Sequence, residues 1–162
     1  MDKYELAVFC TRIRRALDDW SRNGTLVTPP GLRSDEFPSG FCGFITEVLA
    51  IVIYRKFGKK PNQVCGLCEA DTPHYNKLAA NSHLWLEIDG ITIDITGDQF
   101  NSGTIEIPPT LVSSSAHPLS KYMKTTSETA YIIGVTKEAD SFDASHLRLA
   151  SKIISGINSG KI

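Results

Sequence analysis

No charge of either sign dominates this sequence: seventeen lysines and arginines stand against eighteen aspartates and glutamates, a net charge of -1. A global basic field that would draw nucleic acid or an anionic membrane is therefore absent. The local basic cluster, Arg55-Lys56 and Lys59-Lys60, reads as the solvated end of a helix, where cations suit the dipole. A long hydrophobic run is also lacking. The longest apolar stretch, around Val48–Tyr54, is too short to span a bilayer. Asp2 and Glu5 come early and no unbroken apolar segment follows them, so no secretory signal is expected. Cysteine is sparse. Cys10, Cys42, Cys65 and Cys68 read as free thiols in a reducing, cytoplasmic setting, with export as an effector left open. Internal repeats, linkers and low-complexity blocks are missing as well, so residues 1–162 read as a single domain.

What is present is an ordinary apolar fraction of 41%, enough in 162 residues for a hydrophobic core. Leu6, Phe9, Cys10, Ile13, Leu17 and Trp20 recur at helical spacing and predict an amphipathic helix from Asp2 to Trp20, stopped by Asn23-Gly24. A loop follows to Pro38. A second helix is expected from Gly40 or Phe41 to Phe57, with Ser39 as candidate N-cap and Gly58 as its stop. Its apolar residues leave almost no polar face, which predicts a helix buried inside the domain. Gln63–Glu69 reads as a short strand, and Asp71–Ser82 as irregular chain. Ile105–Ile107 and Ala130–Thr136 suit further strands, and Ser113–Lys124 suits a loop. A last helix is expected over Ala144–Ile154, capped by Ser141 or Asp143. Helices early, strands later and a terminal helix give an α+β class, a buried helix packed on an antiparallel sheet.

The clearest local signal is Asp89-Gly90 between two alternating runs, His83–Ile88 and Ile91–Thr96, a two-residue hairpin. That turn sets Ile88 opposite Ile91, Leu86 opposite Ile93 and Trp85 opposite Asp94. Leu84, Leu86, Ile88, Ile91, Ile93 and Ile95 then form one apolar face, which packs on the core. His83, Trp85, Glu87, Thr92, Asp94 and Thr96 form the other. His83 and Asp94 fall diagonally across the pair, within reach of an imidazole and a carboxylate. Cys42 lies in the first turn of the buried helix, where free N–H groups and the dipole favour a thiolate and can hold an oxyanion. Gly40 and Gly43 flank it and leave room for a substrate. Nucleophile Cys42, base His83 and orienting acid Asp94 thus satisfy the requirements of thiol catalysis. Trp85 shares a face with the base and acid and is a candidate cleft wall for substrate or a partly buried packing residue. His117 and His146 read as surface or structural.

Phe37-Pro38-Ser39-Gly40-Phe41-Cys42-Gly43, His83-Leu84-Trp85-Leu86-Glu87-Ile88 and Ile93-Asp94-Ile95-Thr96-Gly97-Asp98-Gln99-Phe100 together resemble papain-like and transglutaminase-like cysteine enzymes. More narrowly they are similar to small bacterial and toxin-type domains of that superfamily. The resemblance covers about Phe37 to Phe100. It implies a papain-like core, no metal or organic cofactor, and thiol chemistry on the amide of a protein or peptide substrate, a peptide bond or a glutamine side chain. It offers no clear counterpart of the upstream Gln that helps papain hold its oxyanion. Gln99 and Gly40 are candidate substrate neighbours. Two other classes compete: a non-catalytic binding or immunity module on the same fold, and a small zinc protein using Cys65-Gly66-Leu67-Cys68 with His74.

Overall fold

The computed structural model describes residues 1–68, 82–101, 105–133 and 143–162. Helix α1 spans Lys3–Arg22, and Asp2 caps it by accepting from the N–H groups of Tyr4 (2.7 Å) and Glu5 (3.3 Å). Helix α2 spans Cys42–Phe57 and ends on Gly58 at φ +68°, a left-handed conformation that costs glycine little. Every apolar side chain from Phe44 to Ile53 in α2 is buried, as its lack of a polar face requires. Helix α3 spans Ala144–Asn158, with Asp143 at the N-cap position; Ser141 lies outside the described residues.

Among the described residues, five antiparallel strands form one sheet: β1 (Asn62–Leu67), β2 (Ser82–Ile88), β3 (Ile91–Asp94), β4 (Leu111–Ser113) and β5 (Lys124–Thr129), in the order β4-β3-β2-β1-β5. The hairpin register is the expected one, Leu86 opposite Ile93, Glu87 opposite Thr92 and Ile88 opposite Ile91. Asp89 and Gly90 both take positive φ, as a two-residue hairpin turn needs. The helices cover one sheet face, where Leu86, Ile88, Ile91, Ile93 and Ile95 pack with Leu6, Ile13, Val48, Ile51, Leu149 and their neighbours.

The opposite face is buried too. Phe100, Ile105, Ile107, Leu119, Met123 and Cys68 form a second, smaller apolar cluster there. Gly66 makes room for it: a Cβ at that position would lie 2.9 Å from the Trp85 ring and 2.8 Å from the Met123 sulfur. The face carrying His83, Trp85 and Asp94 is therefore interior, and all three are at most 2% exposed.

Local expectations fail where polar groups replace the apolar pattern. A strand forms at Lys124–Thr129, ahead of the one expected over Ala130–Thr136, of which Ala130–Ile132 are not strand and Ile133 makes a single bridge. The side chains of Lys124–Thr129 are all exposed, an edge strand of Thr, Ser, Lys and Glu that carries no apolar alternation. Ala130, Ile132 and Ile133 are buried beyond it, and residues 134–136 lie outside the described chain. Ile105–Ile107 is not a strand. The Asn101 amide binds both backbone groups of Ile107 (2.7 and 3.0 Å), supplying the two bonds a neighbouring strand would give. The segment expected as loop, Ser113–Lys124, contains a turn of 3-10 helix at Pro118–Lys121. Ser39 does not cap α2. Its N–H is drawn into a turn on Glu36 O (2.8 Å), Gly40 takes φ +75°, and Phe41 stands at the N-cap. Residues 71–81, read as irregular, lie outside the described chain, as do Glu69 and His74.

Candidate active site

Cys42 is the first residue of α2. The first helical hydrogen bond is Ile45 N–H to Phe41 O (2.9 Å), so the N–H groups of Cys42, Gly43 and Phe44 precede the ladder at the positive end of the dipole. Thr46, one turn on, donates its hydroxyl to Leu84 O (3.0 Å) and pins the start of α2 to β2 beside His83. The Gly40 N–H donates to Gln99 Oε1 (3.2 Å), while Gln99 Nε2 donates to Thr96 O (2.9 Å). Gln99 therefore buckles the turn after β3 to the chain before the cysteine. Positions 40 and 43 have open space where a side chain would stand.

The hairpin brings His83 and Asp94 into contact, Nε2 to Oδ2 at 2.7 Å, with both side chains buried. Asp94 is fully satisfied. Its Oδ1 accepts from Thr96 N–H (2.8 Å) and Thr96 Oγ1 (3.2 Å). Its Oδ2 also meets Nε2 of a second imidazole, His117, at 2.9 Å. Leu119 N–H donates to Nδ1 of His117 (3.1 Å), so that nitrogen carries no proton. The proton of neutral His117 is then on Nε2, and His117 donates to Asp94. Its ring lies between the hairpin and the helical turn, stacked on Trp85 at 4.4 Å between centroids and 19° between planes.

These contacts set the ionisation. Burial works against the Asp94 carboxylate, but the charge and hydrogen bonds of His83 and His117 outweigh it and hold its pKa below the usual carboxylate range. Burial likewise opposes the His83 imidazolium, but Asp94 and then Cys42 push its pKa up to about 9. For Cys42, burial raises the thiol pKa, yet His83 and the backbone N–H groups of Leu84 and Gly43 bring it below the ordinary value. Cys10 moves the opposite way, pushed up to about 12 by burial. Cys65 is raised by burial and by the neighbouring Cys42 and Glu128. Nδ1 of His83 is buried and outside hydrogen-bond geometry with any partner, so the imidazole and the sulfur influence each other without a closed bond.

The three residues expected to act together are brought together. Trp85 is placed differently from a cleft wall: it is 1% exposed, and its ring backs His117, with Nε1 3.4 Å from Glu87. His117, read as surface or structural, is buried at the site, and no local pattern in its segment signals this. His146 is also buried, paired with Glu47 at 2.9 Å. Cys65 pairs with Leu84 on the helix side of the sheet, whereas Cys68 is buried in the cluster on the other side, so they do not form a zinc pair.

Among the described residues, His83, Asp94 and His117 are the group whose ligand atoms cluster closely enough for a cation, all within 4.8 Å. The donor set does not fit one. With Nδ1 of His117 accepting from Leu119, a lone pair at Nε2 would require an imidazolate.

Comparison with protein-family models, with curated proteins and with solved structures finds no match to this chain.

Proposed function

We propose that the chain is a cysteine-dependent hydrolase or acyltransferase of the papain-like or transglutaminase-like kind, acting on an amide through a thioester. One observation carries the reading. A half-buried thiol with lowered pKa opens an apolar helix, beside a buried imidazole with raised pKa that is bonded to a carboxylate with no free lone-pair direction. Opposite shifts on adjacent groups are how a site separates an acid from a base.

His83 takes the proton of Cys42 to give a thiolate–imidazolium pair, and Asp94 holds the imidazole with Nε2–H toward itself and Nδ1 toward the chemistry. The thiolate attacks the carbonyl carbon of a peptide or glutamine amide. N–H groups at the start of α2, that of Cys42 first, hold the oxyanion. The C–N bond breaks, and the amine leaves with the His83 proton. Water or a second amine then attacks the thioester, returning a proton through His83 to Cys42. Gly40 does not serve as a donor, because its N–H is bound to Gln99.

The test is peptide-resolved alkylation of the whole chain by iodoacetamide at pH 6, together with turnover on glutamine-containing peptides. Cys42 is expected to react far faster than the other thiols. Cys42→Ala is expected to remove that phase and at least ~1,000-fold of turnover, as loss of a nucleophile does. Ordinary thiol behaviour at Cys42, with a pKa near ~8.5, would favour a non-catalytic binding module.

A further inference from the structure

We infer that His117 is a positioning residue for the His83–Asp94 pair: as the second imidazole bound to Asp94 Oδ2, it fixes where that carboxylate points and how much of its charge reaches His83. The inference deepens the proposed thiol mechanism and rests on it for its catalytic meaning.

The geometry leaves His117 one role. Its Nδ1 is occupied by Leu119 N–H (3.1 Å) and its Nε2 by Asp94 (2.9 Å), with a side chain 0% exposed. It has no nitrogen left for a substrate and cannot act as a base without giving up a bond. The same oxygen accepts from His83 at 2.7 Å. A carboxylate oxygen shared by two N–H donors has less charge to offer each of them. Asp94 alone would hold the His83 proton more tightly, and an imidazolium that holds its proton too tightly is a poor acid for the departing amine. Trp85 and Leu119 supply the rigidity, one stacked on the ring and the other bonded to its far nitrogen.

Among the described residues, the titratable groups around the pair are these. Cys42 faces His83 from α2, and Cys65 acts on Cys42 from β1, with Glu128 beside it on β5. Cys68 and Tyr122 belong to the cluster under the pair, and Glu87 bonds Trp85. Among the described residues, Asp94 is the carboxylate bonded to His83 and to His117.

Ring ¹⁵N NMR of the full chain tests this without any substrate. His117 is expected to show the Nε2–H tautomer, with Nδ1 unprotonated and accepting from Leu119 N–H. His117→Phe keeps a ring against Trp85 but removes the donor. It is expected to move the His83 titration up by roughly one pH unit, the scale of one hydrogen bond to a charged group. His117→Gln, whose amide N–H reaches the position of Nε2, should restore the wild-type titration. A purely structural His117 would lower the melting temperature and leave the His83 titration where it was. That result overturns the inference, as does an Nδ1–H tautomer or a charged His117 in the wild type. The tautomer measurement needs no variant, so a Phe chain that fails to fold does not block the test. Ordinary reactivity of Cys42 would refute the enzyme reading and leave this arrangement untouched.

Discussion

At the scale of single residues, the ionisation pattern has a consequence for stability. His83 is held at about 9 against an ordinary 6.5. A raised pKa stabilises the fold fully below 6.5, and the contribution is lost as pH rises through about 9. The difference, 9 − 6.5 = 2.5, corresponds at about 1.4 kcal/mol per pH unit to on the order of 3 kcal/mol. Cys42 runs the other way: a thiol held below 9.0 adds stability as pH rises toward 9.0. The two offset, because a thiolate–imidazolium pair holds the same single proton as the thiol and neutral imidazole of the unfolded chain. Cys42→Ala removes the offset. Its melting temperature should therefore fall more steeply between pH 6.5 and 9 than that of the wild type, by differential scanning calorimetry. Equal slopes would mean the ion pair does not form. Asp94, held below its ordinary 3.8, adds stability above that value in both proteins and loses it as pH falls further.

At the scale of elements, the site is a meeting of three short pieces: the start of α2, the hairpin, and the 3-10 turn Gly97–Phe100 that follows β3. That turn comes so close to Asp94 that a Cβ on Gly97 would lie 2.3 Å from Oδ2 and 2.9 Å from the Ile107 side chain. The carboxylate can yield only by giving up some of the four contacts that hold it. Gly97→Ala should cost about 1–3 kcal/mol as overpacking does, measured by urea denaturation. It should also cut Cys42 alkylation at pH 6 by at least about tenfold, since a displaced Asp94 releases His83. Wild-type alkylation in a destabilised Gly97→Ala chain would show that the turn supports the fold and not the pair. The hairpin itself was legible, because Asp89-Gly90 sets the register within twelve residues of chain. The 3-10 turn was not, because its position depends on what packs around it.

At the scale of the molecule, Arg14 ties the helical layer to the site. It is 5% exposed on α1, and its guanidinium binds both Asp98 oxygens (2.7 and 2.8 Å), Asp18 (3.0 Å) and the carbonyls of Ile95 (2.9 Å) and Pro109 (3.0 Å). Asp98 belongs to the same 3-10 turn that carries Gln99 and thereby holds Gly40. Arg14→Met strands Asp98 and two carbonyls. It should destabilise the chain by about 3 kcal/mol, the scale of removing one partner of a buried ion pair, as read from urea denaturation. A loss under about 0.5 kcal/mol, the level of a surface substitution, would show that Arg14 does not hold the layers together. No helix among the described residues is long and apolar enough to cross a membrane.

Periodicity and turn chemistry act over a few residues, so the sequence by itself determined the buried helix that begins near Cys42, the hairpin register, and the diagonal placement of His83 and Asp94. Contacts between distant segments have no local signature. Only the tertiary structure decided that the polar face of the hairpin is interior, that Gln99 grips the cysteine loop, and that His117, 117 − 94 = 23 residues beyond the carboxylate, shares it. The physical reason is that a buried carboxylate must fill every acceptor position. The chain supplies those donors from wherever the fold carries them.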